Sequence, residues 1–174
     1  MAQNKAQNPK DVSVRLAGIA DAQAVYALVV ELAKARNMTE KVVSSAADIA
    51  RDGFGPDPAF EALIAEVDGA DVGLCLFFGS YSTWRGRRGA YVQDLVVADS
   101  ARGLGVGRRL LAEVAAITQA RGGCYLRLSV DDDNIRAQGF YQSSGLSHSQ
   151  AEQIYVLGDD DFVSLARSAK GSKA

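Results

Sequence analysis

Hydrophobic positions along this chain change period several times, and each change marks an element. "VSVRLA", Val12 to Ala17, alternates apolar with polar residues and predicts a first strand. In "DAQAVYALVVELAKAR", Val25, Leu28, Val29 and Leu32 recur at helical spacing behind Asp21, a residue type suited to an N-cap. "SAADIARDG" predicts a shorter helix from about Ser45 to Gly53, and "GFGPDP" is a turn-rich connection. "FEALIAEV" and "VGLCLFFGSY" then read as strands joined by the turn "DGAD".

"GAYVQDLVV" is a further strand, entered from a Gly/Arg-rich turn. After a glycine cluster comes a helix whose Leu110, Leu111, Val114 and Ile117 are spaced to face a sheet. "CYLRLSV" reads as a strand, "NIRAQGFYQSSG" as a helix and "EQIYVLG" as a last strand. "DDFVSLARSAK" suits a terminal helix, with acids at its start and bases at its end as the macrodipole prefers. The polar stretch "MAQNKAQNPK" reads as a loose tail over residues 1–11, leaving one domain over 12–170. No internal repeat or long linker interrupts that span. The order of elements predicts an α/β (α+β) fold, a mixed sheet with helices covering it.

Composition narrows the function classes. The 174 residues are 48% hydrophobic and 23% charged, ordinary for a globular domain with a full core. A net charge of −2 gives no general attraction to nucleic acid or to an anionic membrane, although Arg85, Arg87 and Arg88 form one local basic patch. Cys75 and Cys124 lack metal-ligand spacing and read as reduced core residues. His148 stands alone in a polar loop, so no metal site is expected. With no signal-like segment and no run long enough to span a bilayer, the expected address is the cytoplasm.

The candidate chemistry begins at "ARGLGVGRRLLAEVAAITQARG", residues 101–122. Gly103, Gly105 and Gly107 precede a helix, whose start offers unpaired N–H groups and the positive end of the dipole. Without side chains in the way, consecutive amides there form an anion-binding nest suited to phosphate or pyrophosphate. Arg102, Arg108 and Arg109 stand nearby as counter-charges. A P-loop would need lysine and a hydroxyl after the last glycine, and a dinucleotide fingerprint would need glycine where Arg108 sits. Both patterns fail.

Taken with its neighbours, the loop resembles that of the GNAT N-acetyltransferase superfamily. Arg102, Gly105 and Gly107 match the family's R/Q-x-x-G-x-G/A pattern, and "YVQDLVV" is similar to its bulged fourth strand. "NIRAQGFYQSSG" is similar to its second cofactor motif, an asparagine opening a helix with a late tyrosine. "ELAKARNMTE", "DGFG", "ALIAEV" and "YSTWRGRRGAYVQDLVV" extend the resemblance to the diamine (spermidine/spermine-type) branch, over about Val12 to Leu165. The resemblance implies a mostly antiparallel twisted sheet of about six or seven strands, acetyl-CoA as co-substrate without a metal, and a homodimer.

It also implies roles. Arg102, Gly103, Leu104, Gly105, Val106, Gly107 and Arg108 would hold the pyrophosphate, largely through backbone amides. Leu95, Val96 and Val97, at the strand bulge, would pair with the pantetheine arm. Asn134, Ile135, Arg136 and Ala137 would line its other side, and Tyr141 would act as general acid toward the departing thiolate. Glu31, Ser82, Trp84, Gln93 and Arg127 are the expected acceptor-binding residues.

Gln93 departs from the branch, which carries a glutamate there; an amide takes no proton at neutral pH. Asp94, Glu31 or a water relay must therefore deprotonate the amine, or the amine must arrive already neutral. Ser82 also replaces an acid, while Arg85, Arg87, Arg88 and Arg127 add positive charge, so a polyamine is attracted less. The expected reaction is acetyl transfer to a small-molecule primary amine (polyamine-like, monoamine or amino acid) by direct attack in a ternary complex. A carboxylate-bearing acceptor would suit the mixed charge, with Arg127 as its partner. An acyl-CoA-sensing module without turnover and a protein-lysine acetyltransferase are the alternatives.

Overall fold

A computed structural model describes residues 11–169, so all of the expected tail over residues 1–11 except Asp11 lies outside the described residues. The chain divides into two compact units that part after Asp131.

The first unit holds a five-stranded sheet in sequence order: β1 (Val12–Leu16), β2 (Glu61–Val67), β3 (Ala70–Ser82), β4 (Arg87–Val97) and β5 (Gly123–Leu128). The first three pairings are antiparallel and β4–β5 is parallel. Helices α1 (Ala22–Ala35) and α2 (Ala46–Phe54) connect β1 to β2, and α3 (Val106–Ala120) connects β4 to β5. Ser45 caps α2 through a reciprocal pair with Asp48: its hydroxyl accepts from the Asp48 amide, whose carboxylate accepts from the Ser45 amide. Asp21 does stand at the start of α1, but its carboxylate accepts from the Gly18 amide and from both terminal nitrogens of Arg15 instead of capping. Arg15 also donates to Glu66, tying β1 to β2 and to the entry of α1.

Strand alternation divides the core between two faces. Ala62, Ile64, Leu74, Leu76 and Val96 pack with Val25 and Leu28 of α1 and Ile49 of α2. On the other face, Val106 and Leu110 of α3 sit so close over Gly73 that an added Cβ there would stand 2.8 and 3.2 Å from their side chains. Leu110 and Val114 are fully buried, each contributing roughly 1.5–3 kcal/mol. Ile117 is only half-buried; Thr118 takes the buried position and donates its hydroxyl to the Val114 carbonyl.

In the second unit, α4 (Ile135–Ser143) and α5 (Asp159–Ser168) form as the sequence predicts. The predicted last strand does not: residues 152–158 carry no regular structure, with Ile154, Tyr155 and Val156 exposed. Side-chain period reports a face, whereas a strand also needs a neighbour's N–H and C=O groups, and this segment pairs with none among the described residues. The sheet consequently counts five strands there rather than six or seven. Cys124 is the other correction. It is exposed on β5, while Cys75 is buried; both are free thiols.

Candidate active site

The site starts from one extra residue. Leu76 of β3 pairs with Asp94, but its neighbour Phe77 pairs with Val92, leaving Gln93 unmatched. The bulge thus lies at Gln93, whereas Leu95–Val97 pair in regular register with Cys75, Leu74 and Gly73. The resemblance had located it at Leu95–Val97. Sequence alone could not place it, because an inserted residue leaves the apolar pattern almost intact.

Two consequences follow locally. β5 pairs with β4 only as far as Val92–Leu128, so from Gln93 to Val97 the outer edge of β4 has no strand partner among the described residues. Alternate residues of that stretch turn N–H and C=O toward the open edge. The bulge also changes faces: Val92 pairs with Phe77 on the α3 side, while Asp94 pairs with Leu76, and Leu76 and Val96 belong to the α1 side.

Asp94 is half-buried there, with no hydrogen bond or ion pair among the described residues. Burial raises its pKa above the ordinary carboxylate range, because the charged form loses hydration. Burial, then the nearby Asp94 charge, pushes the Cys75 thiol up to about 12, so Cys75 is not a nucleophile at neutral pH.

β4 leads through a 3-10 turn at Asp99–Ala101 into the glycine loop. Gly103 and Gly105 adopt φ of +81° and +80°, and a Cβ built on either meets no atom within 4 Å. Backbone conformation, not crowding, requires glycine at both. Gly105 is the N-cap of α3, whose first backbone bond runs from the Arg109 amide to the Gly105 carbonyl. The amides of Val106, Gly107 and Arg108 therefore have no acceptor within the helix. Buried Val106 pins this loop to the sheet, so only its amide is available to a ligand. Arg108 and Arg109 are exposed, while the Arg102 guanidinium is paired with Asp99. Open amides, a positive helix end and an unpaired strand edge fit a long anionic thioester such as acetyl-CoA.

The expected acceptor-binding residues are dispersed over the first unit. Glu31 is exposed and bonded to Lys34 at 2.7 Å, and Trp84 is fully exposed. Ser82 ends β3, its hydroxyl accepting from the Arg85 amide at 3.3 Å. Gln93 is exposed at the bulge, and Arg127 is exposed on β5. The basic patch is not uniform, since the Arg85 guanidinium lies 5.5 Å from the Tyr125 ring centroid.

In the second unit, Asn134 is the N-cap of α4 and its Oδ1 accepts from the Ala137 amide at 3.2 Å. Ile135 and Arg136 are exposed in the first turn, and Tyr141 is half-buried on the last, tilted against Phe140 at 5.3 Å. Sequence reasoning passed over Phe78 and Tyr91 as ordinary strand residues. They stack with ring centroids 5.2 Å apart on the face that carries Asp94, and only the strand register reveals that neighbourhood.

An antiparallel sheet with one parallel edge strand, a splayed fourth strand and an anion loop opening a helix defines an acetyltransferase fold. Residues 26–146 match the acetyltransferase (GNAT) family, and the chain belongs to it. It is an acetyl-CoA-dependent N-acetyltransferase. Among curated proteins it is 34% identical to a thialysine N-epsilon-acetyltransferase of Bos taurus, over 77% of this chain and 83% of that protein. It is 29% identical to the human spermidine/spermine N(1)-acetyltransferase-like protein 1, over 88% of this chain but 23% of that protein. These relatives are of the diamine acetyltransferase branch. Among solved structures, an integron cassette protein from the mobile metagenome of V. cholerae shares the fold at a TM-score of 0.77 and 21% identity, covering 90% of this chain and 98% of that one.

Proposed function

We propose that the chain transfers the acetyl group of acetyl-CoA to a primary amine of a small molecule by direct attack in a ternary complex. The observation that carries this reading is the open β4 edge after Gln93 running into the free amides of Val106, Gly107 and Arg108. Acetyl-CoA supplies an acetyl group activated as a thioester. The three amides, with Arg108 beside them, would hold its pyrophosphate, and the edge of Leu95–Val97 would bind the pantetheine arm. Asn134 holds the start of α4, and the turn from Ile135 to Ala137 retains its place along the co-substrate in this proposal.

An alkyl ammonium has no lone pair, so its proton must leave before attack. Asp94 is the base in this reading, directly or through one water: it has no hydrogen bond or ion pair among the described residues, is half-buried and is held ready to accept by desolvation. Glu31 has weaker support because Lys34 already neutralises it. Tyr141 would return a proton to the departing thiolate. The names of the curated relatives, thialysine and spermidine/spermine acetyltransferases, support a small amine over a protein lysine.

Homodimerisation and a cytoplasmic location belong to the same proposal. The exposed apolar run Ile154–Leu157, with Phe162 and Leu165 on α5, supports the first. Two free thiols, one of them exposed, support a reducing compartment.

The test is release of CoA thiol from acetyl-CoA in the presence of polyamines, monoamines, amino acids and lysine peptides. Acceptor-dependent release with at least one small amine is expected. Tight acetyl-CoA binding without release for any acceptor would replace this reading with the sensing module.

A further inference from the structure

We infer that the ion pair between Arg36 and Asp131 is a positioning device: it holds the chain leaving β5 against α1 and so keeps the edge of β4 free for the pantetheine arm of the co-substrate. The inference rests on the proposed binding of that arm along Leu95–Val97. β4 and β5 pair in parallel from Arg88–Gly123 to Val92–Leu128. Continued one for one, Ser129 would lie beside Gln93 and Asp131 beside Leu95, the first residue of the proposed edge. Instead, residues 129–131 carry no strand structure.

Two polar contacts show where the chain goes. Tyr91 lies on the α1 side of the sheet, as its partner Phe78 does, and its hydroxyl is 2.7 Å from the Ser129 hydroxyl. Two residues on, the Asp131 carboxylate accepts from the Arg36 guanidinium at 2.7 Å. Both contacts draw residues 129–131 off the line of the sheet and toward α1. The anchor is firm. Arg36 follows the last turn of α1, the Asn37 amide donates to the Lys34 carbonyl and the Met38 amide to the Ala33 carbonyl, with Asn37 at a φ of +53°, the pattern that closes a helix end. Val25 and Leu28 fix α1 itself in the core.

The clamp matters because the edge it protects has a competitor. From Gln93 to Val97 the outer edge of β4 has no strand partner among the described residues, and an unpaired edge is a template for any extended chain nearby. Residues 129–131 directly follow the last paired residues of β5, so their effective concentration at that edge is high. Each molecule in which they zip onto β4 is closed to the arm, and the apparent affinity falls by the fraction that stays open. The Arg36 side chain is 24% exposed and that of Asp131 62%, so water screens the pair and it biases this equilibrium without locking it.

The experiment measures, by titration calorimetry, the affinity for acetyl-CoA and for the nucleotide half of coenzyme A, which keeps the pyrophosphate and lacks the arm. The proteins are wild type, Arg36→Gln, Asp131→Asn, and Arg36→Asp combined with Asp131→Arg. Unfolded protein lowers the stoichiometry, so the affinity is read on the folded fraction alone. Wild type is expected to bind acetyl-CoA more tightly than the nucleotide half. Each single variant is expected to weaken acetyl-CoA roughly two- to fivefold, the range an exposed ion pair supports, and to leave the nucleotide half unchanged. The charge-exchanged protein is expected to recover part of the loss. Charge alone predicts a different pattern, since losing Arg36 would weaken a polyanion and losing Asp131 would strengthen it, on both ligands alike. Effects of opposite sign, an acetyl-CoA affinity unmoved by either variant, an equal loss on both ligands, or no recovery on exchange would overturn the inference while leaving the arm on its edge. Wild type that binds the two ligands equally would overturn the edge and the clamp together.

Discussion

Asp94 is held at the site against its own stability preference. Desolvation raises its pKa, so the folded state binds this proton more tightly than the unfolded chain does. The ionised carboxylate therefore costs stability at neutral pH. The cost fades as pH falls through the raised pKa, and it is gone below the unfolded value. Asp94→Asn is expected to melt above wild type at pH 7, with the gap closing in acid, while kcat/KM falls about 10²- to 10³-fold as for loss of a general base. Thermal melts across pH and steady-state kinetics on the same preparations check both halves; a variant that melts lower at pH 7 would remove this account. Gly105 is constrained differently. At φ +80° any Cβ is strained by about 1–2 kcal/mol, so Gly105→Ala is expected to lose about that much stability and to raise KM for acetyl-CoA, with a smaller effect on kcat. The glycines at 103 and 105 were readable in the sequence, because few residue patterns open a helix that way. The surroundings of Asp94 were not, since its neighbours come from β3 and its burial is a property of the assembled sheet.

Between elements, α3 lies tight against β3 at Gly73. A Cβ there would press on Val106 and Leu110, one residue at the mouth of the glycine loop and one a turn inside the helix. Gly73→Ala is therefore expected to cost about 1–3 kcal/mol and to weaken acetyl-CoA binding by displacing the loop, read by chemical denaturation and by titration calorimetry. Destabilisation with unchanged affinity would show that the loop holds its shape without this packing. Elements stabilised by local signals were the legible ones. The reciprocal Ser45–Asp48 cap and the spacing of Leu110, Leu111 and Val114 are contained within a few residues of chain. Residues 152–158 show the opposite case, since their alternation was real but the partner edge it requires was absent among the described residues.

For the molecule as a whole, the exposed Ile154, Tyr155, Val156, Phe162 and Leu165 gather in the second unit. Five large apolar side chains on one short stretch are costly to leave in water. Sedimentation equilibrium is expected to give a dimer, and Val156→Asp to shift it toward monomer; wild type that sediments as monomer at assay concentration would exclude the dimer. The family and the co-substrate were legible because they depend on a loop and a strand contiguous in sequence. The neighbourhood of Asp94 was not, because Phe78, Tyr91 and Asp94 come from two strands and share a face only through the register across the bulge.

The unmatched Gln93 has one more implication, which concerns parity. Along β4, Tyr91 and Val92 already point to opposite faces, and Asp94 already occupies the face that a residue directly after Val92 would take. Deleting Gln93 would therefore leave every buried side chain of the strand on its present side, with both layers of the core intact. Only the kink and the gap it opens would go, and β4 would run on as a straight strand free to zip onto its neighbour. A frame-preserving loss of three nucleotides would then yield a folded sheet with no slot for the co-substrate, so that at this position the difference between a scaffold and an enzyme is whether the count of residues is odd or even.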